Sequence, residues 1–504
     1  MAELSLGIAR ARLSPAAAII DPDRGIAACE ENRLSRAREV STSGPPRLAI
    51  SELLAFLGRS ERDIAITAAV RDENSPQWFL GDAVAVEPHH AHAEYAYRAS
   101  GFDDALVVVC DASLTNGWTA WRYRGHGTAA ALPTDFDIGN FPIAQLYGEL
   151  TTALGLQAAR DEHIVEAMAR AAAPDAKQAS GDSACVRATS VGVQTSVRFR
   201  ERLASAAHAD EKQKRQIAAE VQRDLGDCLV ELLKRLARES GARNLCLSGG
   251  IFFNTYLTTV AAQSGAFEET FIPSHPGRNG SALGAAVLVA QKRLPSVVVR
   301  DPYLGPSYSD ADIKAAIESC KLSFDLQRED QVRDNVIRAL SRGRLVAWFH
   351  GRMEWGPRAL GHRTVLADPF SPHVLDNLNG YLKKRPGYRT YGVSVPLSRL
   401  SEVFEGTLAS PYMQYEYAPR DRERFRALLP EGVKTLRVHT VDDSEPRYLR
   451  LLELWGESSG TPVLVNTSFN GFHEPLVCSP RDAIRVFYGT GLDLLALEDF
   501  VLRK

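Results

Sequence analysis

The sequence predicts an α/β protein built as two lobes, and three observations carry that prediction. The chain has 504 residues, where a domain takes ~100–200, so a lone small module is excluded. Apolar runs of strand length alternate with segments of helical period, and two glycine turns stand at strand-to-helix junctions, the arrangement of a nucleotide lobe. Near residue 300 the character changes: Val297-Val298-Val299 leads into Asp301-Pro302-Tyr303-Leu304-Gly305-Pro306, which no helix interior tolerates. The lobes are therefore placed at 1–305 and 306–504.

The elements follow in order. Residues 4–37 read as strands around the turn Pro22-Asp23-Arg24-Gly25, since the apolar runs on either side are short and the turn chemistry is explicit. Strands are expected at 105–110 and 118–123. Over 212–238 Ile217, Val221, Leu225, Leu229, Leu232 and Leu236 recur every three or four residues, which predicts a helix ending near Gly241. A buried strand, 244–247, then runs into Ser248-Gly249-Gly250, and the stretch Pro276-Gly277-Arg278-Asn279-Gly280-Ser281-Ala282-Leu283-Gly284 opens a small-residue helix. Beyond residue 306 a helix at 332–342 and strands at 345–350 and 463–466 are expected.

Charge and composition exclude several classes. With 59 Lys and Arg against 62 Asp and Glu, the net charge of −3 leaves no global footprint for nucleic acid or a membrane surface. No run nears the ~18 apolar residues of a membrane span, and Met1-Ala2-Glu3-Leu4 lacks the basic-then-apolar order of a signal peptide, so a cytoplasmic protein is expected. The seven cysteines are scattered and never form C-x-x-C, which favours buried thiols over zinc or disulfides.

The densest chemistry is the segment from Gly351 to Arg363, where Arg352, Arg358 and Arg363 sit in a Gly- and Pro-rich turn after an apolar strand. Guanidinium forks grip phosphate oxygens, and α/β sheets bind ligands at strand ends. The bland alternative is a solvated loop whose arginines meet surface acids. A second basic cluster, Lys383, Lys384, Arg385 and Arg389, favours an anion site. Asn466-Thr467-Ser468-Phe469-Asn470-Gly471 after another strand either closes an Asx turn or hydrogen-bonds a substrate. In the first lobe Glu87-Pro88-His89-His90-Ala91-His92, with Asp111, offers either metal ligands or polar loop histidines.

These residues resemble the ATP-dependent carbamoyltransferases, which include antibiotic O-carbamoyltransferases and nodulation-factor carbamoyltransferases. Residues 352–363 match the family's R-M-E-x-G-P-R-A-L-G-x-R; Lys383, Arg385, Arg389 and Ser394 fit its basic stretch; and Asn466 to Asn470 with Glu474-Pro475 fit N-T-S-F-N-x-x-x-E-P. Gly249, Gly250, Asn254, Gly277, Gly280 and Ser281 fall on its nucleotide-side motifs. The resemblance implies an actin/hexokinase-type ATPase lobe, like that of the threonylcarbamoyl transferases, joined to a YrdC-like adenylating lobe. It implies ATP with Mg2+, carbamoyl phosphate as donor, a carbamoyl adenylate intermediate and a small-molecule hydroxyl acceptor in secondary metabolism. By it, Arg352, Arg358, Arg363, Lys383, Arg385 and Arg389 would clamp phosphates, while Asn466, Ser468 and Asn470 would orient the substrate. The exposed surface of a two-lobed enzyme also suits a homodimer.

The first lobe departs from the pattern. Leu13-Ser14-Pro15-Ala16-Ala17 stands where the family has its transfer histidine, Pro88 replaces one histidine of an iron-like metal site, and Arg278 replaces an acidic ligand. His92 and Asp111 remain of the expected ligands, with His89 a displaced substitute. After Asp111 the family's D-G-x-G reads Ala112-Ser113-Leu114, and residues 433–440 replace its H-V-D-G-T-A-R. Two other functions therefore stay open: ATP-dependent activation of a different acyl group, and a nucleotide-binding partner protein without transfer activity.

Overall fold

The computed structural model describes residues 3–40, 44–71, 81–112, 117–125, 140–172, 184–190, 192–291 and 299–504. The expectations for Pro295, Val297, Val298, Ser113 and Leu114 lie outside these. The chain divides into two compact units: Met1–Glu31 with Glu39–Asp301, and Asn32–Arg38 with Pro302–Lys504. A short early segment thus belongs with the C-terminal unit.

In the N-terminal unit, one sheet has the order Gly25–Glu30, Pro15–Asp21, Leu4–Arg10, Ile64–Val70, Val84–Val86. The apolar runs of residues 4–30 form its antiparallel half, and the remaining pairs are parallel. A second sheet has the order Glu269–Phe271, Asn244–Ser248, Asp104–Cys110, Trp118–Arg124. Its parallel central pair, Asn244–Ser248 with Asp104–Cys110, ends with Gly249 beside Cys110 and Asp111 just beyond. The predicted long helix runs Glu211–Ser240: Asp210 and Gln213 form its capping box, and Gly241 ends it in the left-handed region at φ 58°.

The helix Ser281–Ala290 is built of small residues because it is wedged between backbones. A Cβ on Gly284 would lie 1.8 Å from Ala91 O of the helix Pro88–Ser100, and one on Gly7 would lie 2.0 Å from Ala282 O. Only glycine permits both approaches, and this packing fixes His89 and His92 against the ends of the second sheet.

The C-terminal unit is built on a mixed sheet of order Asp325–Leu326, Phe500–Arg503, Leu494–Leu497, Val346–Phe349, Arg363–Ala367, Leu464–Ser468, Gly392–Pro396, Leu436–Val441, Tyr415–Tyr417. The helices Glu329–Leu340 and Pro446–Ser459 cover it, burying Val332, Val336, Trp348, Leu366, Leu452 and Trp455 in one core. Leu464–Ser468 lies centrally, with Ser468 opposite Thr364 and Asn466 opposite both Leu366 and Gly392. The glycine-rich loop 350–362 connects two neighbouring antiparallel strands of this sheet. Of the cysteines, Cys29, Cys110, Cys185, Cys228, Cys246 and Cys478 are buried thiols and Cys320 is partly exposed.

Candidate functional site

Lys383 is the centre of the C-terminal site. It closes a π-helical run, Asp376–Lys383, whose i→i+5 pattern continues in the Lys384 N–H bond to Asn379 O. Such runs are rare and concentrate at functional positions. Lys383 is 3% exposed. Its ammonium donates to Ser468 O at 2.6 Å, Asn470 O at 3.2 Å and Asn470 Oδ1 at 2.5 Å. Burial, and then the charge of Arg385, hold its pKa well below the ordinary lysine value. Ser468 Oγ donates to Asn470 Oδ1 at 2.7 Å, and Asn470 Nδ2 donates to Glu474 O at 2.7 Å. The two motifs that contain Lys383, Ser468 and Asn470 are thus one constellation. Arg385 stands beside it, with its guanidinium carbon 5.7 Å from the centre of the Tyr391 ring.

Asn466 sits deeper in the sheet. Its Nδ2 donates to Ser394 Oγ at 2.9 Å, its Oδ1 accepts from Thr364 Oγ1 at 3.4 Å, and Ser394 Oγ lies 2.9 Å from His439 Nδ1. Burial, and then the His362 charge, lower His439 to about 3, so its ring is neutral at physiological pH. A neutral Nδ1 accepts the Ser394 proton, and Ser394 then accepts from Asn466, which orders the line across neighbouring strands.

The arginines of the glycine-rich loop divide into two kinds. Arg363 is fully buried: its Nη1 donates to His350 O at 2.7 Å and its Nη2 to Gly351 O at 3.1 Å, and its guanidinium carbon is 3.5 Å from the centre of the Phe349 ring. Arg352 donates to Gly305 O at 3.0 Å and Leu304 O at 2.7 Å. Both were expected as phosphate clamps, but their forks hold backbone carbonyls and brace the loop. Arg358 and Arg389 are partly exposed and remain the candidates from these segments. Sequence reasoning passed over Glu354, a buried carboxylate whose Oε1 accepts the N–H groups of Leu360, His362 and Arg363, each at 2.9 Å. One acid thereby folds the loop on itself, and the signal was its place between Met353 and Trp355 in a basic turn.

In the N-terminal unit, Gly249 at φ 111° sits where a Cβ would lie 1.8 Å from Cys110 O, and its N–H donates to Pro276 O at 2.7 Å. A Cβ on Gly277 would strike the Phe253 ring at 2.5 Å, and one on Gly280 would strike His275 O at 1.9 Å. Gly249, Gly277 and Gly280 therefore let the loops after two strands close together, with Gly250 and Ser281 alongside. Asn254 does not face a ligand as expected. Its Oδ1 caps the helix Thr255–Ala262 through Tyr256 N and Leu257 N, and its Nδ2 donates to Tyr147 Oη at 3.0 Å and Gln222 Oε1 at 2.8 Å.

The sequence pattern described as carbamoyltransferase N-terminus matches residues 49–287, and the one described as carbamoyltransferase C-terminus matches residues 337–504. An uncharacterized protein of Synechocystis is 30% identical over 83% of this chain and 76% of its own length. The chain belongs to the carbamoyltransferase family. Nodulation protein NolO of Bradyrhizobium diazoefficiens is 29% identical over 82% of this chain and 78% of its own. A 3'-hydroxymethylcephem-O-carbamoyltransferase of Amycolatopsis lactamdurans is 31% identical over 55% of this chain and 52% of its own. A HypF structure from T. kodakarensis covers 60% of this chain and 49% of that chain at 14% identity and a TM-score of 0.38, too small an overlap to bear on the fold. Among the described residues no helix is long and apolar enough to cross a membrane.

The metal that the resemblance implied for carbamoyltransferases does not suit this chain. His92 Nε2 lies 3.9 Å from Asp111 Oδ2, His92 Nδ1 lies 3.2 Å from Ser248 Oγ, and His89 turns its Nδ1 to Thr119 Oγ1 at 2.7 Å. Buried His89 Nε2 has no hydrogen-bond partner, which alone would suit a ligand. The Arg278 charge, however, acts on His92, where a cation would meet repulsion, and Pro88 heads the helix in place of a ligand. Among the described residues no three His, Cys, Asp or Glu side chains converge on one point. Elemental analysis of the purified protein should find transition metal well below one per chain, and Arg278→Asp combined with Pro88→His should raise it. A stoichiometric metal in the wild type would contradict this.

Acid should destabilise the C-terminal unit through His439. Its folded value of about 3 lies below the ordinary 6.5, so between these the unfolded chain binds the extra proton and stability falls as pH drops through the window. The slope reaches up to ~1.4 kcal/mol per pH unit for this one group. Urea midpoints at pH 7 and pH 5 should show the fall, and His439→Gln should flatten it; equal slopes in both proteins would refute the assignment.

Proposed function

We propose that in the C-terminal unit water cleaves carbamoyl phosphate to carbamate and inorganic phosphate, that a carbamate oxygen then attacks the α-phosphorus of ATP and expels pyrophosphate to give carbamoyl adenylate, and that in the N-terminal unit a hydroxyl of a small molecule takes the carbamoyl group and releases AMP. The observation that carries this reading is the buried Lys383 ammonium held against Ser468 and Asn470, with Arg385 beside it. A triphosphate and an acyl phosphate brought together need positive charge prepared in advance, because the departing pyrophosphate gains charge in the transition state. Phosphate oxygens can take the place of the loop oxygens that now hold the ammonium. ATP with Mg2+ is the nucleotide in this reading. The lobes are inferred to be of the actin/hexokinase type and the YrdC type. A hydroxyl acceptor is supported by the named O-carbamoyl transfer of the cephem relative.

A second reading has its own observation. His439, from the stretch that replaces the family's H-V-D-G-T-A-R, is buried against Ser394 beside Asn466. A neutral imidazole there changes the polar surface offered to the acyl group, so a different acid in place of carbamoyl phosphate is the alternative.

The purified protein with ATP and carbamoyl phosphate should form pyrophosphate and a carbamoyl adenylate. Lys383→Ala should reduce the rate at least ~10-fold, the loss of one charge-assisted contact being ~1.5–3 kcal/mol. Pyrophosphate with another acid and none with carbamoyl phosphate would select the second reading. Absence of pyrophosphate with every acid tried would refute activation.

A further inference from the structure

The strap Asn32–Arg38 leaves the N-terminal unit after Glu31 and belongs with the C-terminal one. Its arginines reach both loops that frame the proposed site. Buried Arg33 donates to Gly356 O at 3.2 Å in the glycine-rich loop. Arg36 holds the other loop at several points: it donates to Leu476 O at 2.5 Å and Pro475 O at 2.9 Å, and it pairs with Glu474 at 3.6 Å and Asp482 at 3.4 Å. Arg38 donates to His473 Nδ1, an imidazole rather than a carboxylate.

The backbone at His473 and at Lys384, on the neighbouring loop, is strained. His473 at φ 57° and Lys384 at φ 46° are both non-glycine residues in the left-handed region, and the Lys384 ammonium lies 5.4 Å from the centre of the Phe472 ring. Strained backbone on adjoining loops gathers at functional sites because the surroundings must hold it there. Arg38 therefore ends at the rim of the Lys383, Lys384 and Arg385 cluster, contributed from a position far away in sequence. Its charge is felt by Arg385, whose guanidinium is lowered first by burial and also by Arg38. Like charges held this way repel one another until an anion lies between them.

We propose that Arg38 is an anion-binding residue of the C-terminal site, sharing the phosphate groups of the nucleotide with Lys383 and Arg385, and that Arg33 and Arg36 are positioning residues that fix the strap to the two loops. This rests on the reading of Lys383 as a phosphate-binding residue. Arg36 and Arg33 are committed to carbonyls and acids of the loops, so Arg38 is the strap arginine whose fork is suited to a ligand.

The test is calorimetric binding of ATP and of inorganic pyrophosphate to the full chain, in parallel with steady-state pyrophosphate release. Arg38→Gln should weaken both ligands about 10-fold to 100-fold, raise the KM for ATP more than it lowers kcat, and leave the Tm unchanged, with Arg38→Lys recovering part of the affinity. Arg36→Gln should instead lower the Tm and kcat together. Arg38→Gln binding like the wild type, while Lys383→Ala binds weakly, would overturn the role of Arg38 and leave the Lys383 reading standing. Binding unchanged in both variants would overturn the two together.

Discussion

The C-terminal unit is organised around one costly placement, a lysine ammonium taken out of water and met by carbonyl and amide oxygens. Burying a charge costs several kcal/mol unless its donors are matched, and Lys383 matches them with Ser468 O, Asn470 O and Asn470 Oδ1. That requirement shapes the surrounding backbone. The π-helical run delivers the side chain inward, Lys384 takes a left-handed turn immediately after it, and the loop after Leu464–Ser468 folds so that Asn470 reaches back through Glu474 O. A charge held in this way is poorly solvated and ready to meet an anion, which is what electrostatic preorganisation requires.

The glycine-rich loop is held by its own contacts and does not touch the Lys383 ammonium. Glu354 gathers three N–H groups, Arg363 gathers carbonyls from 350 to 351, and the cation stacks on Phe349, so an acid and a base of the same motif are both structural. The N-terminal unit uses a different constraint. Its loops close because Gly249, Gly277 and Gly280 permit contacts no side chain would allow, and Arg278 brings a fixed positive charge to the place where its relatives' pattern has an acid.

Much of the fold was legible because it is written locally. The helix Glu211–Ser240, the strand Asn244–Ser248 and the glycine turn after it follow from period, capping and turn chemistry alone. Lys383, Ser468 and Asn470 were legible as polar and basic residues at element ends, and they proved to touch. The partners of Arg363, Arg352 and Asn254 were not legible, for one physical reason: which carbonyl or side chain a polar group meets depends on loops converging from elsewhere, which composition does not encode. The strap was invisible for the same reason, since Arg36 meets Leu476 across 440 residues of sequence.

In the proposed mechanism, phosphate oxygens replace the loop oxygens at Lys383. A crystal structure of the full chain with a non-hydrolysable ATP analogue and Mg2+ tests it most directly. Triphosphate oxygens are expected within ~3 Å of Lys383 Nζ and the Arg385 guanidinium, with Arg363 still on its carbonyls. A nucleotide bound in this unit with its phosphates on Arg363 and with Lys383 still closed on Ser468 and Asn470 would contradict it.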